Sequence, residues 1–265
     1  EEYGGHFCYV AVPGQYAYYP GSYPDFLNNR EAYTALEVPA LTQAMAERGM
    51  ELLDMGPVLD AAGRPREYYS LADYHYQFGG AYLTYRAILE RLSVELGTEL
   101  TVLDEDSLTA ETLSNPYLGS RGRKLFGLED RGERLTIGLP RDPIPFTRTD
   151  NGRETASTVY ALPATGTEEV LYSLYMGGDV GETVIETNRP DLPSILIYGD
   201  SFTNPVECLA YYSFDEMRSI DLRHYREMSL ADYIRLHQPD IVVGIRDYEA
   251  LLSADYNGSP FQLQP

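Results

Sequence analysis

In its last third the chain alternates short apolar runs with helix-like stretches, and that alternation limits the folds open to it. Ser194-Ile-Leu-Ile-Tyr198 reads as a strand, Asn204-Pro205 opens a helix through about Tyr212, and Met217-Arg-Ser-Ile-Asp-Leu222 reads as another strand. Ser229 to His237 follows as a helix and Asp240-Ile-Val-Val-Gly-Ile245 as a final strand. Strands separated by helices need crossover connections, so the expected core is a largely parallel sheet with helices on both faces.

The first hundred residues fit the same scheme. His6-Phe-Cys-Tyr-Val-Ala-Val12 is an apolar run ended by Pro13-Gly14, a buried strand followed by a turn, with a Tyr/Pro/Asn-rich loop up to Arg30. Val38 to Arg48 reads as a helix with Pro39 at an early position and Gly49 just past its end. Glu51-Leu-Leu-Asp54 is a second strand. From Gly80 to Leu96, Tyr85, Ile88, Leu89, Leu92 and Leu96 recur at helical spacing, and Gly97 closes the helix. The stretch from about 104 to 190 is rich in Gly, Pro, Thr and charge, with short alternating pieces at Arg134–Gly138 and Thr183–Thr187. It reads as an irregular β and loop insertion within one domain spanning 1–265.

Charge narrows the function classes. Asp and Glu number 41 against 20 for Lys and Arg, a formal charge of -21. Nucleic-acid binding needs a basic footprint, and docking on an anionic membrane needs one too. No run approaches the ~18 to 20 apolar residues of a transmembrane helix. The chain begins Glu1-Glu2 without Met, which reads as a processed or trimmed form whose N-terminal anchor has been removed. Cys8 and Cys208 read as buried free thiols, a single disulfide being the other possibility. The chain has no CxxC, HExxH, GxxxxGK[ST] or GxGxxG pattern, so neither a metal nor a nucleotide cofactor is expected.

The stretch Ile195-Leu-Ile-Tyr-Gly-Asp-Ser-Phe-Thr-Asn204 carries the chemistry. An apolar strand runs into Gly199-Asp200-Ser201 and a helix starts within a few residues. Ligands of an open parallel sheet sit beyond the carboxyl ends of its strands, where Ser201 would lie. Asp200 and Ser201 read equally well as a helix cap. Of four histidines, His6, His224 and His237 read as structural or solvated. His75 lies in the polar-aromatic loop Asp73-Tyr-His-Tyr-Gln-Phe-Gly-Gly80, where Asp73 can reach one ring nitrogen and leave the other as a base. A local Asx-turn explains Asp-x-His as well.

These segments resemble a known family. Gly199-Asp-Ser-Phe202 is similar to the first block of the SGNH (GDSL-like) hydrolases. Asp73-Tyr-His-Tyr76 with Gly79-Gly-Ala81 resembles the Asp-His-His-Trp element of the DHHW proteins, relatives of the alginate O-acetyltransferase J/X group. Asn115–Arg121, Tyr175–Asp179, Ser219–Arg223, Ser229–Ile234 and Asp240–Val243 add agreement, so the resemblance runs from His6 to about Ile245. It implies a flavodoxin-like three-layer α/β/α SGNH fold, an extracytoplasmic location and a triad of Ser201 (nucleophile), His75 (base) and Asp73 (orienter). Tyr74 and Tyr76 replace the family's inner His and its Trp, and His224 replaces an aromatic. The oxyanion hole is expected from the Ser201 amide and the Gly177-Gly178 turn, with Gly178 as second donor.

The expected activity is serine-dependent O-acyl transfer or ester hydrolysis on cell-surface carbohydrate. Its partners would be a glycan acceptor and an acyl donor, supplied for instance by a membrane acyl-export protein. Tyr74, Tyr76 and Arg121 are the expected substrate contacts, with Tyr16, Tyr18, Tyr19 and Tyr23 as a further aromatic platform. The rival reading is a non-catalytic carbohydrate-binding member of the same family, in which Ser201 only caps a helix.

Overall fold

A computed structural model describes residues 4–24, 26, 31–128 and 132–253. Glu1-Glu2 and part of the loop before Arg30 lie outside those residues. In chain order the elements are β1 (His6–Val12), α1 (Gln15–Tyr18), α2 (Glu31–Ala46), β2 (Leu52–Asp54), α3 (Met55–Ala61) and α4 (Phe78–Leu96). Then come β3 (Leu108–Thr112), α5 (Ser120–Lys124), β4 (Thr136–Pro140), β5 (Thr147–Asp150), β6 (Arg153–Glu154) and β7 (Glu182–Glu186). The last part holds β8 (Ile195–Gly199), α6 (Asn204–Ala210), β9 (Glu216–Asp221), α7 (Leu230–His237) and β10 (Ile241–Asp247).

Eight strands form one sheet in the order β2-β1-β10-β8-β9-β7-β5-β6. The pairs from β2 to β9 are parallel, and β7, β5 and β6 extend the edge in antiparallel sense. The insertion therefore divides: its later strands join the main sheet, while β3 and β4 pair as a separate ribbon. Strand side chains alternate between faces. Cys8, Val10 and Val12 of β1 join a core with α3, α4 and α6, while Tyr9 and Ala11 join a second core with α2 and α7. Two apolar layers on one sheet give the α/β/α architecture. Both cysteines are buried and free. Among the described residues no helix is long and apolar enough to cross a membrane.

Helix α2 departs from the sequence reading. It begins at Glu31, so Pro39 lies inside it and not at its start. A proline there removes one backbone donor from the helical ladder. Helix α3, unforeseen, starts where the Asp54 carboxylate accepts the Gly56 N–H at 2.9 Å.

Candidate active site

Strand β8 delivers Ser201 to the carboxyl end of the parallel strands, next to β10 and β9. Gly199 is required by packing: a Cβ at that position would lie 2.2 Å from the Ile245 carbonyl oxygen. The turn after it is fixed by Asp200. Its carbonyl accepts the Thr203 N–H and hydroxyl, both at 2.9 Å, and its carboxylate accepts the Phe202 N–H at 3.0 Å. Arg246, almost fully buried, faces the other Asp200 oxygen at 3.2 Å. Burial pushes the Asp200 pKa up, against the pull of that guanidinium.

His75 approaches from the loop before α4. Its Nε2 lies 2.7 Å from Ser201 Oγ, across 126 residues of sequence, and its Nδ1 lies 2.8 Å from Asp73 Oδ1. With Asp73 ionised, Nδ1–H donates to the carboxylate and Nε2 accepts the serine hydroxyl. The imidazole is held between rings. Tyr172 stacks on it at 3.8 Å and 5°, and Tyr74 covers it at 3.9 Å and 33°.

The Asp73 carboxylate is densely served. It accepts the Tyr74 N–H at 2.7 Å, the Ser120 N–H at 2.7 Å and the Ser120 hydroxyl at 3.1 Å. Burial alone would raise its pKa, but hydrogen bonds from His75 and Ser120 outweigh burial and hold it well below the usual carboxylate range. The loop itself is clamped from two sides. Glu133 accepts the Ser70 hydroxyl (2.6 Å), the Leu71 N–H (2.6 Å) and the Ala72 N–H (2.9 Å). Gln15 Nε2 donates to the carbonyls of Asp73 and Ser70.

Ser201, His75 and Asp73 therefore meet as the sequence suggested, and some of the other expectations need correction. Tyr76 is buried to 1% exposure, and its hydroxyl donates to the Phe202 carbonyl, so it ties the histidine loop to the serine turn and cannot line a substrate groove. The Gly178 N–H is already donated to the Tyr175 carbonyl at 3.0 Å, which removes it as an oxyanion donor. Arg121 donates one N–H to the Tyr23 hydroxyl at 2.6 Å and lies over the Tyr23 ring. Tyr18 and Tyr19 donate to loop carbonyls and Tyr16 packs on Tyr23, so the expected platform mostly braces the protein's own loops. Tyr74, 43% exposed, keeps its place at the site. Ser120, Tyr117, Tyr172, Gln15 and Glu133 went unrecognised. Only Ser120 and Tyr117 carried a signal, inside the Asn115–Arg121 block.

Among the described residues, Asp179, Asp221 and exposed His224 bring ligand atoms within 4.8 Å of one another near the serine turn. The Arg223 guanidinium already bridges the two carboxylates, so the chain supplies its own cation there.

No family model matches the chain, and no curated protein matches its sequence. Solved structures do match its fold. A Bacillus cereus PatB1 structure with a sulfonyl adduct is 18% identical over 94% of this chain and 82% of its own, with a TM-score of 0.74. A DHHW family protein from Eubacterium siraeum is 19% identical over 97% of this chain and 84% of its own, with a TM-score of 0.72. The O-acetyltransferase domain of Pseudomonas putida AlgJ is 14% identical over 98% of this chain and 83% of its own, with a TM-score of 0.51. The chain thus has the α/β fold of the SGNH, DHHW and alginate O-acetyltransferase group that its sequence resembles.

Proposed function

We propose that the protein is a serine-dependent O-acyltransferase, with acetyl as the transferred group and a cell-surface carbohydrate as acceptor. The observation that carries this reading is the continuous Ser201–His75–Asp73 chain of 2.7 and 2.8 Å contacts. Ser201 Oγ attacks the acyl carbonyl while His75 Nε2 takes its proton. The tetrahedral intermediate collapses, the leaving oxygen takes that proton from His75, and acyl-Ser201 remains. An acceptor hydroxyl then attacks the ester, giving its proton to His75, which returns it to Ser201 Oγ. Asp73 stays ionised throughout and fixes the imidazole tautomer.

Fold-mates support the reading by analogy: one is an O-acetyltransferase domain, and another carries a sulfonyl adduct, the kind of product a nucleophile forms with a sulfonyl electrophile. The Ser201 amide is the first oxyanion donor in this reading. An extracytoplasmic location, with an anchor and a membrane acyl-export partner, belongs to the same proposal. The test supplies an aryl acetate with and without oligosaccharide acceptors and follows acetyl-sugar by mass. Ser201-dependent acetyl-sugar is the expected product; free acetate as sole product with every acceptor would make the protein an esterase.

A further inference from the structure

We infer that Tyr74, Asp179 and Arg223 form an acceptor subsite at the mouth of the Ser201 site, and that it takes a neutral pyranoside presenting two adjacent hydroxyls. The inference rests on the acyl-transfer reading above and names its acceptor class.

Register sets the location. Asp221 of β9 lies beside Gly199 of β8, so the chain leaving β9 emerges at the same sheet end as Ser201. Arg223, two residues on, places Nη2 2.9 Å from Asp179 and 2.5 Å from Asp221, with Nε 3.0 Å from Asp221. Asp179 also accepts from Asn204 Nδ2 at 3.2 Å, which ties the pair to the segment just after Ser201. On the other side stands Tyr74, half-exposed and covering His75. The charges of Arg223 and Asp179 act on its hydroxyl, so the ion pair stands near it. An aromatic ring and an ion pair therefore stand at the same end of the sheet as the nucleophile.

Those groups match a sugar. The C–H face of a pyranose packs on an aromatic ring, and adjacent hydroxyls can donate to a carboxylate and accept from a guanidinium. Asp179 keeps a third of its side chain exposed, and Arg223 a quarter. Among the described residues Arg223 Nη1 makes no hydrogen bond, so its two N–H groups face outward unused. Charge then selects within the sugars. The Arg223 cation is matched by two carboxylates, leaving the local balance negative. A uronate carboxylate would enter that field against repulsion.

The full chain carrying Ser201→Ala separates binding from turnover. It is titrated by calorimetry with cellohexaose, mannohexaose and hexagalacturonate. A neutral hexasaccharide should bind at least about tenfold more tightly than hexagalacturonate. Adding Tyr74→Ala or Asp179→Asn should weaken that binding by about tenfold or more, while Tyr74→Phe, which keeps the ring, should weaken it less. Three results would overturn the subsite: hexagalacturonate binding as tightly, neither neutral sugar binding at millimolar concentration, or Tyr74→Ala and Asp179→Asn binding like their parent. Sugar binding as expected, with no Ser201-dependent turnover in the wild type, would support the subsite and contradict acyl transfer alone.

Discussion

Gln15 precedes Asp73 by 58 residues, yet its side-chain amide donates to the Asp73 carbonyl at 2.8 Å and to the Ser70 carbonyl as well. Its own oxygen accepts the Tyr23 hydroxyl, which in turn accepts from Arg121. Arg121 is thereby linked through two side chains, Tyr23 and Gln15, to the backbone of Asp73. Gln15→Ala strips buried carbonyls of their donors. It should cost about 1–3 kcal/mol of stability. Turnover should fall by about tenfold as the loop loosens. Denaturant unfolding and aryl-acetate kinetics on the same preparation measure both; unchanged turnover in a destabilised protein would limit Gln15 to a structural role.

Asp73→Asn should lower turnover by about 10³- to 10⁴-fold, because an amide does not enforce the tautomer that leaves Nε2 free. The stability effect has a defined sign. The native Asp73 pKa is depressed, so its ionised form stabilises the fold above the unfolded carboxylate range of about 4, and that contribution is lost as pH falls through the native value. The stability gap between wild type and Asp73→Asn should therefore be largest near neutrality and shrink below about pH 4. Urea melts at a series of pH values read this directly, and a gap that grows in acid would contradict it.

The Tyr172 hydroxyl is buried and has no hydrogen-bond partner among the described residues, although its ring lies flat on His75. Removing an unsatisfied buried hydroxyl is expected to be neutral or to stabilise by up to about 1 kcal/mol. Tyr172→Phe should therefore keep stability and turnover. Tyr172→Ala should cost about 3–5 kcal/mol and reduce turnover, since the imidazole loses one of its walls. Thermal melts of the two variants separate ring from hydroxyl; a Phe variant as damaged as the Ala variant would show the hydroxyl to be required.

Asp247, at the end of β10, has its pKa raised to about 7 by burial first and by the neighbouring Asp200 charge second. The sign is opposite to that of Asp73. Stability present at acid pH is lost as pH rises from about 4 through the native pKa, beyond which the penalty is complete. Asp247→Asn keeps an oxygen to accept the Ala250 N–H, bonded at 2.8 Å in the wild type, and removes the charge. It should be the more stable protein at pH 8 by about 1–3 kcal/mol, with the difference fading towards pH 4. Equal stability at both pH values would show that the carboxyl is ionised at no cost.

The sheet was readable because burial on both faces makes its strands nearly continuous apolar runs, as at Ile195–Gly199 and Ile241–Asp247. The meeting of Ser201, His75 and Asp73 was readable because Gly199-Asp200-Ser201 and Asp73-Tyr74-His75 are local words with chemical meaning. What holds them was not. Gln15, Glu133 and Ser120 act through hydrogen bonds formed across 47 to 63 residues, and no local pattern marks such a partner. Tyrosines misled for a related reason: Tyr74 and Tyr76 flank the base identically in sequence, yet one is exposed and the other buried. Pro39 misled because a proline suited to a helix start sits in the interior of α2.

The nucleophile is tested most directly by intact-mass analysis after treatment with an aryl sulfonyl fluoride. One sulfonyl group should add to the wild-type chain, peptide mapping should place it on Ser201, and both Ser201→Ala and His75→Ala should stay unlabelled over the same interval. A wild-type chain that remains unmodified, or a Ser201→Ala chain labelled as fast as wild type, would contradict a Ser201 nucleophile activated by His75.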